Sequence, residues 1–299
     1  MSFFLLSGVA FLIGVFYLAF RRIMKPVLSE ALRRIWSRPV PGHWLPLIRD
    51  RVPAVRGLTT DQQDRLLRSM RALMTNRNWE GCGDLVLTEE MQLVIAAQAC
   101  LLVLEHPGEP YPSVREILVY PRTYVPWRTD NETQWLSTNA LPGMPHRGES
   151  WSSGVVVLAW DSALEGARDP VDGSNLVFHE FAHALAFERH LTVEDPGLGL
   201  FRGAQKLDRP RVSDPDSWRA VLEESFDELC WKLSLGIPTV LDAYAATKLS
   251  EFFAVASEVF FERPRELRAE YPALFDQLLD LYKMDPASFL PPNPAENAA

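Results

Sequence analysis

Between Asn175 and Glu188 the chain reads NLVFHEFAHALAFE. Two histidines four residues apart, with a glutamate directly after the first, restrict this chain more than any other stretch of it. On a helix, positions i and i+4 share a face with Cβ atoms about 5–6 Å apart. The imidazoles of His179 and His183 can therefore converge on one metal ion at about 2.0–2.1 Å per nitrogen. Glu180 is turned partly aside from that face, so its carboxylate serves as general base on a water at the metal rather than as a ligand. The competing reading is an ordinary amphipathic helix whose histidines are solvated or satisfied in the core. A random chain of 299 residues would show H-E-x-x-H about once in a hundred. Here the motif also follows Asn175, a residue suited to cap a helix, and lies among Leu176, Val177, Phe181 and Leu185.

A catalytic zinc takes three protein ligands and keeps a position for water. The extension H-x-x-G-x-x-H, which would supply a third histidine, fails: Ala186 stands at the glycine position and Arg189 at the histidine position, and His190 misses by one. Glu188 and His190 read as exposed polar groups near the helix end. A carboxylate from a later helix remains. Glu223, Glu224, Asp227 and Glu228 sit on one such helix, whose acidity fits a solvated face, and Glu251, Glu258 and Glu262 on the next. Glu251 interrupts the apolar run SEFFAVASEVFF, where an unpaired charge is costly to bury and a metal would offset the cost. Glu258, two turns along, is either a rival ligand or a partner that holds a ligand histidine. Spacing leaves both open.

Elsewhere the chain alternates helix and strand signals. Thr60 with Gln63 reads as a capping box opening a helix, and a second, core helix starts near Thr88 and runs through MQLVIAAQACLLVL. REILVYP (115–121) and GVVVLAW (154–160) read as strands. Asp214 and Pro215 open a helix that Gly236 closes; further helices cover 250–262, start at Pro264, and bend or restart at Pro272. Helices around a small sheet make an α+β fold, with a single folded domain at residues 57–286, a connector at 26–56 and a disordered tail at 287–299.

Net charge is −9 and the pI is near 5.3, which argues against a nucleic-acid binder. The cysteines, Cys82, Cys100 and Cys230, are far apart and lack any CxxC, so neither a disulfide framework nor a cysteine zinc site is available. From Phe3 to Phe20 the sequence FFLLSGVAFLIGVFYLAF carries no charge. Such a run reaches about 27 Å as a helix, enough to cross a bilayer core. Arg21, Arg22, Lys25, Arg33 and Arg34 follow it and nothing basic precedes it, the reverse of a signal peptide. The expectation is an uncleaved transmembrane anchor within residues 1–25. It makes a single pass of the inner membrane and leaves the remainder on the cytoplasmic side.

In order and separation, NLVFHEFAHAL, LDAYAA and SEFFAVASEVFF, with SWSSGVVVLAW upstream, resemble the Mlc titration factor A family of zinc metallopeptidases over about residues 41–286. The resemblance implies a zincin-like domain with a gluzincin-type site and one Zn2+ per chain. His179, His183 and Glu251 match that family's ligands, Glu180 its catalytic glutamate, and Tyr244 its active-site tyrosine, which would donate to an oxyanion. Its buried structural counterpart is the alternative for Tyr244. Some members cover the site with a preceding loop; the corresponding segment STNALPGMPHRGES offers only His146. The implied activity is hydrolysis of peptide or protein substrates by glutamate-assisted attack of water, with aminopeptidase action on small unblocked peptides. The family's name adds an alternative: a membrane-tethered protein that sequesters a cytoplasmic transcriptional regulator. An inactive structural zinc site is the third reading, disfavoured by the intact Glu180.

Overall fold

Leu249–Glu262 is buried along its whole inner length, with Phe252, Phe253, Phe260 and Phe261 wholly or almost wholly out of solvent. Each such ring stabilises the fold by about 1.5–3 kcal/mol relative to exposure, so this helix belongs to the core of the described fold. The computed structural model describes residues 39–122, 154–189, 191 and 212–290. The expected anchor at 1–25, His146, His190 and the tail from 291 onward lie outside the described residues. A compact unit begins at Gly42. No helix among the described residues is long and apolar enough to cross a membrane.

In chain order the unit runs α1 (Trp44–Arg51), a 3-10 turn (Pro53–Gly57), α2 (Thr60–Asn76), β1 (Asn78–Gly81), α3 (Glu89–Leu101), β2 (Glu116–Tyr120) and β3 (Val155–Ala159). It continues with α4 (Trp160–Arg168), α5 (Leu176–Arg189), α6 (Pro215–Ser234), a 3-10 turn (Ala243–Thr247), α7 (Leu249–Glu262), α8 (Pro264–Glu270), α9 (Pro272–Tyr282) and a last 3-10 turn (Pro286–Ser288). This is the mostly helical α+β architecture that the sequence leads one to expect. The described strands form one parallel sheet in the order β1-β2-β3, with Asn78 opposite Glu116 and Glu116 opposite Val155. Ile117 and Val119 of β2 and Val156 and Leu158 of β3 point into the core, the period-two burial that a half-covered strand requires.

Several local expectations need correction. The capping box is Thr59 with Gln62, one residue earlier than Thr60 with Gln63. The Thr59 hydroxyl accepts the Gln62 N–H, and the Gln62 side chain accepts the Thr59 N–H. Both registers carry a Thr and a Gln three apart, but Gln63 is turned into the core, where its Nε2 donates to Leu58 O at 2.8 Å, and Gln62 completes the box. The expected connector at 26–56 ends early, because Trp44 and Ile48 of α1 are buried. The Trp44 indole also donates to Glu89 at 2.9 Å. The expected tail at 287–299 starts too soon, since Phe289 and Leu290 are buried and Phe289 O closes over Gly57. Strand β1, with the sequence NWEG, lacks the β-branched run that announces a strand; pairing with β2 makes it one.

The helices restart where the sequence dictates. Asp214 accepts the Asp216 and Ser217 N–H groups to open α6, and Pro264 and Pro272 occupy first-turn positions of α8 and α9. Helix α5 lies on α7 and is flanked by β3, α3 and α4, while the Ala243–Thr247 turn packs against α7. The two histidines of α5 and the glutamates of α7 consequently face one another.

Candidate metal centre

Asn175 starts α5. Its Oδ1 accepts the Phe178 N–H at 3.0 Å and its carbonyl accepts the His179 N–H at 2.9 Å, which fixes the helix phase. That phase turns His179 and His183 toward α7. Glu251 lies in the first turn of α7, an electrostatically favourable place for a carboxylate. His179 Nε2 lies 3.1 Å and His183 Nε2 3.3 Å from Glu251 Oε2, and the two nitrogens are 3.2 Å apart. All three side chains are buried. They are the single cluster of metal-capable donors found among the described residues.

Three lone-pair donors at these distances repel one another unless a proton or a metal ion lies among them. Donor atoms on one tetrahedral ion with bonds of about 2.0–2.1 Å lie about 3.3 Å apart, which is the spacing seen here. The set of two imidazoles and one carboxylate also suits zinc. The residues therefore fit a metal, and the charge balance agrees. Burial alone would lower the His179 pKa, but Glu258 beside it, with the bonds to Glu251 and Glu258, outweighs burial and raises it to about 10. Burial works against an ionised Glu251 too, yet the bonds from both histidines hold its carboxyl well below the usual range. For His183, burial prevails and its pKa is lowered. The carboxylates around His179 thus favour positive charge at the site, which a proton or a metal ion can supply.

Glu258 is not in the donor triangle. Its Oε1 lies 2.7 Å from His179 Nδ1, on the far side of the ring from Glu251, and its Oε2 accepts the Asn175 N–H at 2.6 Å. A carboxylate there keeps the proton on Nδ1 and leaves Nε2 free to ligate. Of the two glutamates left open by spacing, the geometry brings Glu251 to the cluster and gives Glu258 the task of holding its histidine. Glu262 is buried as well. Its Oε1 accepts from Asn175 Nδ2 at 3.0 Å and its Oε2 from the Gly173 N–H at 3.0 Å. Glu223, Glu224, Asp227 and Glu228 are exposed on α6, as a solvated face would be.

Glu180 is buried on α5 beside the cluster, and its negative charge acts on both histidine rings. Tyr244 comes from the 3-10 turn before α7, held by Asp242, whose carboxylate accepts the Tyr244 N–H at 2.7 Å. Its ring centroid is 6.1 Å from that of His179 and it is half-buried, so it borders the cluster. One expectation fails at the helix end: Glu188 is not a free polar group but accepts the Ser113 N–H at 2.8 Å and hydroxyl at 2.7 Å. The carboxamide of Asn175, missed beyond its capping role, joins α3, α4 and α7. It donates to Gln98 Oε1 at 3.0 Å, to Gly166 O at 3.1 Å and to Glu262.

Comparison with known proteins points to a metallopeptidase family. The pattern of the glucose-regulated metallo-peptidase M90 family matches residues 28–283. An uncharacterized protein of Synechocystis is 34% identical over 255 residues, spanning 85% of this chain and 88% of its own. Mlc titration factor A of Serratia proteamaculans is 29% identical over 255 residues, 83% of this chain and 90% of that protein. Its counterpart in Yersinia pestis is 28% identical over 244 residues, 80% and 84% of the two chains.

Proposed function

The chain belongs to the glucose-regulated metallo-peptidase M90 family, with the Mlc titration factor A proteins as relatives, and on that premise we propose that it is a zinc-dependent peptidase with one ion per chain. The observation that carries the proposal is the triangle of donors at 3.1, 3.2 and 3.3 Å formed by His179, His183 and Glu251, beside a buried glutamate. A structural zinc site fills all its positions with protein and has no use for a base.

His179, His183 and Glu251 would hold the ion, which when bound lowers the pKa of water toward about 7 and polarises a carbonyl. Glu180 accepts the proton of the attacking water and returns it to the leaving amine, so the peptide bond is exchanged for a carboxylate and a free amine. Tyr244 donates its phenol hydrogen to the oxygen that gains charge as the carbonyl becomes tetrahedral. Glu258 keeps the His179 ring in one tautomer and orientation throughout. The turn at Ala243–Thr247 brings the Tyr244 ring to 6.1 Å from that of His179, the imidazole that faces Glu251, which supports a role at the reacting carbonyl. Small peptides with a free amino terminus are the proposed substrates, cleaved in aminopeptidase fashion.

The relatives' name, a titration factor for Mlc, supports a second reading: capture of a transcriptional regulator. Both readings are compatible with an N-terminal anchor. The uncharged run from Phe3 to Phe20, followed by Arg21, Arg22 and Lys25, supports a single inner-membrane pass with the remainder on the cytoplasmic side. Protection of the folded unit from added protease in intact spheroplasts would agree with this, and digestion would reject it.

The decisive comparison is hydrolysis of free and N-blocked peptides by the wild type and by Glu180→Gln. Cleavage of the free peptides alone, lost in the variant, agrees with an aminopeptidase. Equal cleavage of blocked peptides makes it an endopeptidase. A biological effect that survives Glu180→Gln while no peptide is cut supports the binding role.

A further inference from the structure

Helix α7 carries three buried glutamates, Glu251, Glu258 and Glu262, spaced by two turns and then one. A buried carboxylate is costly without partners, and each here has a different set. Glu251 meets the two imidazoles, Glu258 meets His179 and the Asn175 N–H, and Glu262 meets the Asn175 carboxamide and the Gly173 N–H. We infer that Asn175 and Glu262 are positioning residues for the zinc site, acting on His179 through Glu258. The inference rests on the zinc reading above.

The geometry forms a closed chain. Asn175 gives its backbone N–H to Glu258 Oε2, and the opposite oxygen of that carboxylate holds His179 Nδ1. The place of that N–H depends on the Asn175 side chain, which is anchored at four points: the Phe178 N–H, Gln98, Gly166 and Glu262. Gly166 is part of the same fit, because a Cβ there would come within 2.9 Å of Asn175 Cγ. Gly173 sits at φ +89°, a conformation open to glycine, and that turn aims its N–H at Glu262 Oε2 at 3.0 Å. Glu262 thus grips the residues just before α5 while Glu251, one end of the same rigid helix, takes part in the donor triangle. Loosening Glu262 frees the Asn175 N–H, then the Glu258 carboxylate, then the orientation of the His179 ring.

A role through Glu258 differs from general support of the fold in one measurable respect. Residues that act in series are not additive, whereas independent ones are, to within about a factor of two. Zinc affinity should be measured on the full-length chain by competition with a chromophoric chelator for wild type, Glu262→Leu, Glu258→Gln and the double variant. The d–d absorption of the Co2+-loaded proteins reports the geometry of the donors in parallel. Glu258→Gln should weaken zinc binding about 10–100-fold and Glu262→Leu about tenfold, the range for groups that support a metal ligand. The double variant should match Glu258→Gln to within about twofold, and the Co2+ spectrum of Glu262→Leu should shift toward that of Glu258→Gln. If Glu262→Leu does not fold, Asn175→Ser replaces it in the cycle. The serine can still accept the Phe178 N–H but has no amide for Glu262. Losses that multiply in the double variant, or a Glu262→Leu affinity equal to wild type, overturn the inference and leave the zinc reading standing. A wild-type chain that binds no metal overturns both.

Discussion

Replacing Glu251 with glutamine tests the donor triangle through stability rather than catalysis. A ligand that binds only the folded state stabilises it by about 2.7 kcal/mol at a free concentration of a hundred times Kd. For a unit of this size each kcal/mol moves Tm by about 2–4 °C. Zinc at that concentration should thus raise the wild-type Tm by about 5–11 °C. Glutamine keeps the shape of Glu251 but removes the charge that both histidines face at 3.1 and 3.3 Å. Removing one charged partner from a buried cluster costs about 3–5 kcal/mol, more than about a hundredfold in Kd. At the same free zinc, the variant's gain falls to about 0.4 kcal/mol or less, a shift of about 1 °C. The assay is differential scanning calorimetry with and without zinc, and the quantity compared is the zinc-dependent shift, because the metal-free Tm also moves when a buried charge is removed. Glu228→Gln, on the exposed face of α6, should keep the full shift. A Glu251→Gln chain that also keeps it would show that the ion, if any, is held elsewhere.

Further outcomes follow from the same geometry. Glu180→Gln should retain zinc, seen by metal analysis, while turnover falls about 10²–10⁴-fold; loss of the metal instead would make Glu180 a ligand. Tyr244→Phe should lower kcat about 10²–10³-fold with KM little changed, and an unchanged kcat would return Tyr244 to a packing role. The metal-free protein should lose stability as pH rises. The His179 pKa is raised to about 10 against the ordinary 6.5, so its contribution is complete below about 6.5 and is lost on the way to 10. Zinc affinity should rise over the same interval, because the proton must leave before the ion binds; flat profiles would contradict the charge balance drawn for the site. Phe260 is wholly buried against Phe275 and Tyr282. Phe260→Ala should cost about 3–5 kcal/mol and lower Tm by about 6–20 °C, measured by thermal unfolding.

The donor pair on α5 was legible because helix geometry is local: a cap at Asn175 and a period of 3.6 suffice to bring His179 and His183 onto one face. The apolar run around Glu251, Glu258 and Glu262 was equally plain. Their separate tasks were not, since these depend on where α5 lands on α7. Glu251 faces Nε2 of His179 together with His183, whereas Glu258 faces the opposite nitrogen of the same ring. The capping box slipped by one residue because Thr59-Thr60 and Gln62-Gln63 offer two registers, and only the core decides between them. Strand β1 and the parallel order of the sheet come from pairing, which NWEG alone does not announce. Asn175 is the clearest case. A cap is a local property and was foreseen, whereas its bonds to Gln98, Gly166 and Glu262 join residues up to 87 positions away.

The proposed activity is peptide hydrolysis with one zinc held by His179, His183 and Glu251. Its most direct test is a titration of chelator-stripped wild-type protein with zinc, following cleavage of a free peptide and bound metal together. Activity should rise in proportion to bound zinc and level off at about one ion per chain. Cleavage by the stripped protein, or one tightly bound zinc per chain with no cleavage of any peptide, would contradict it.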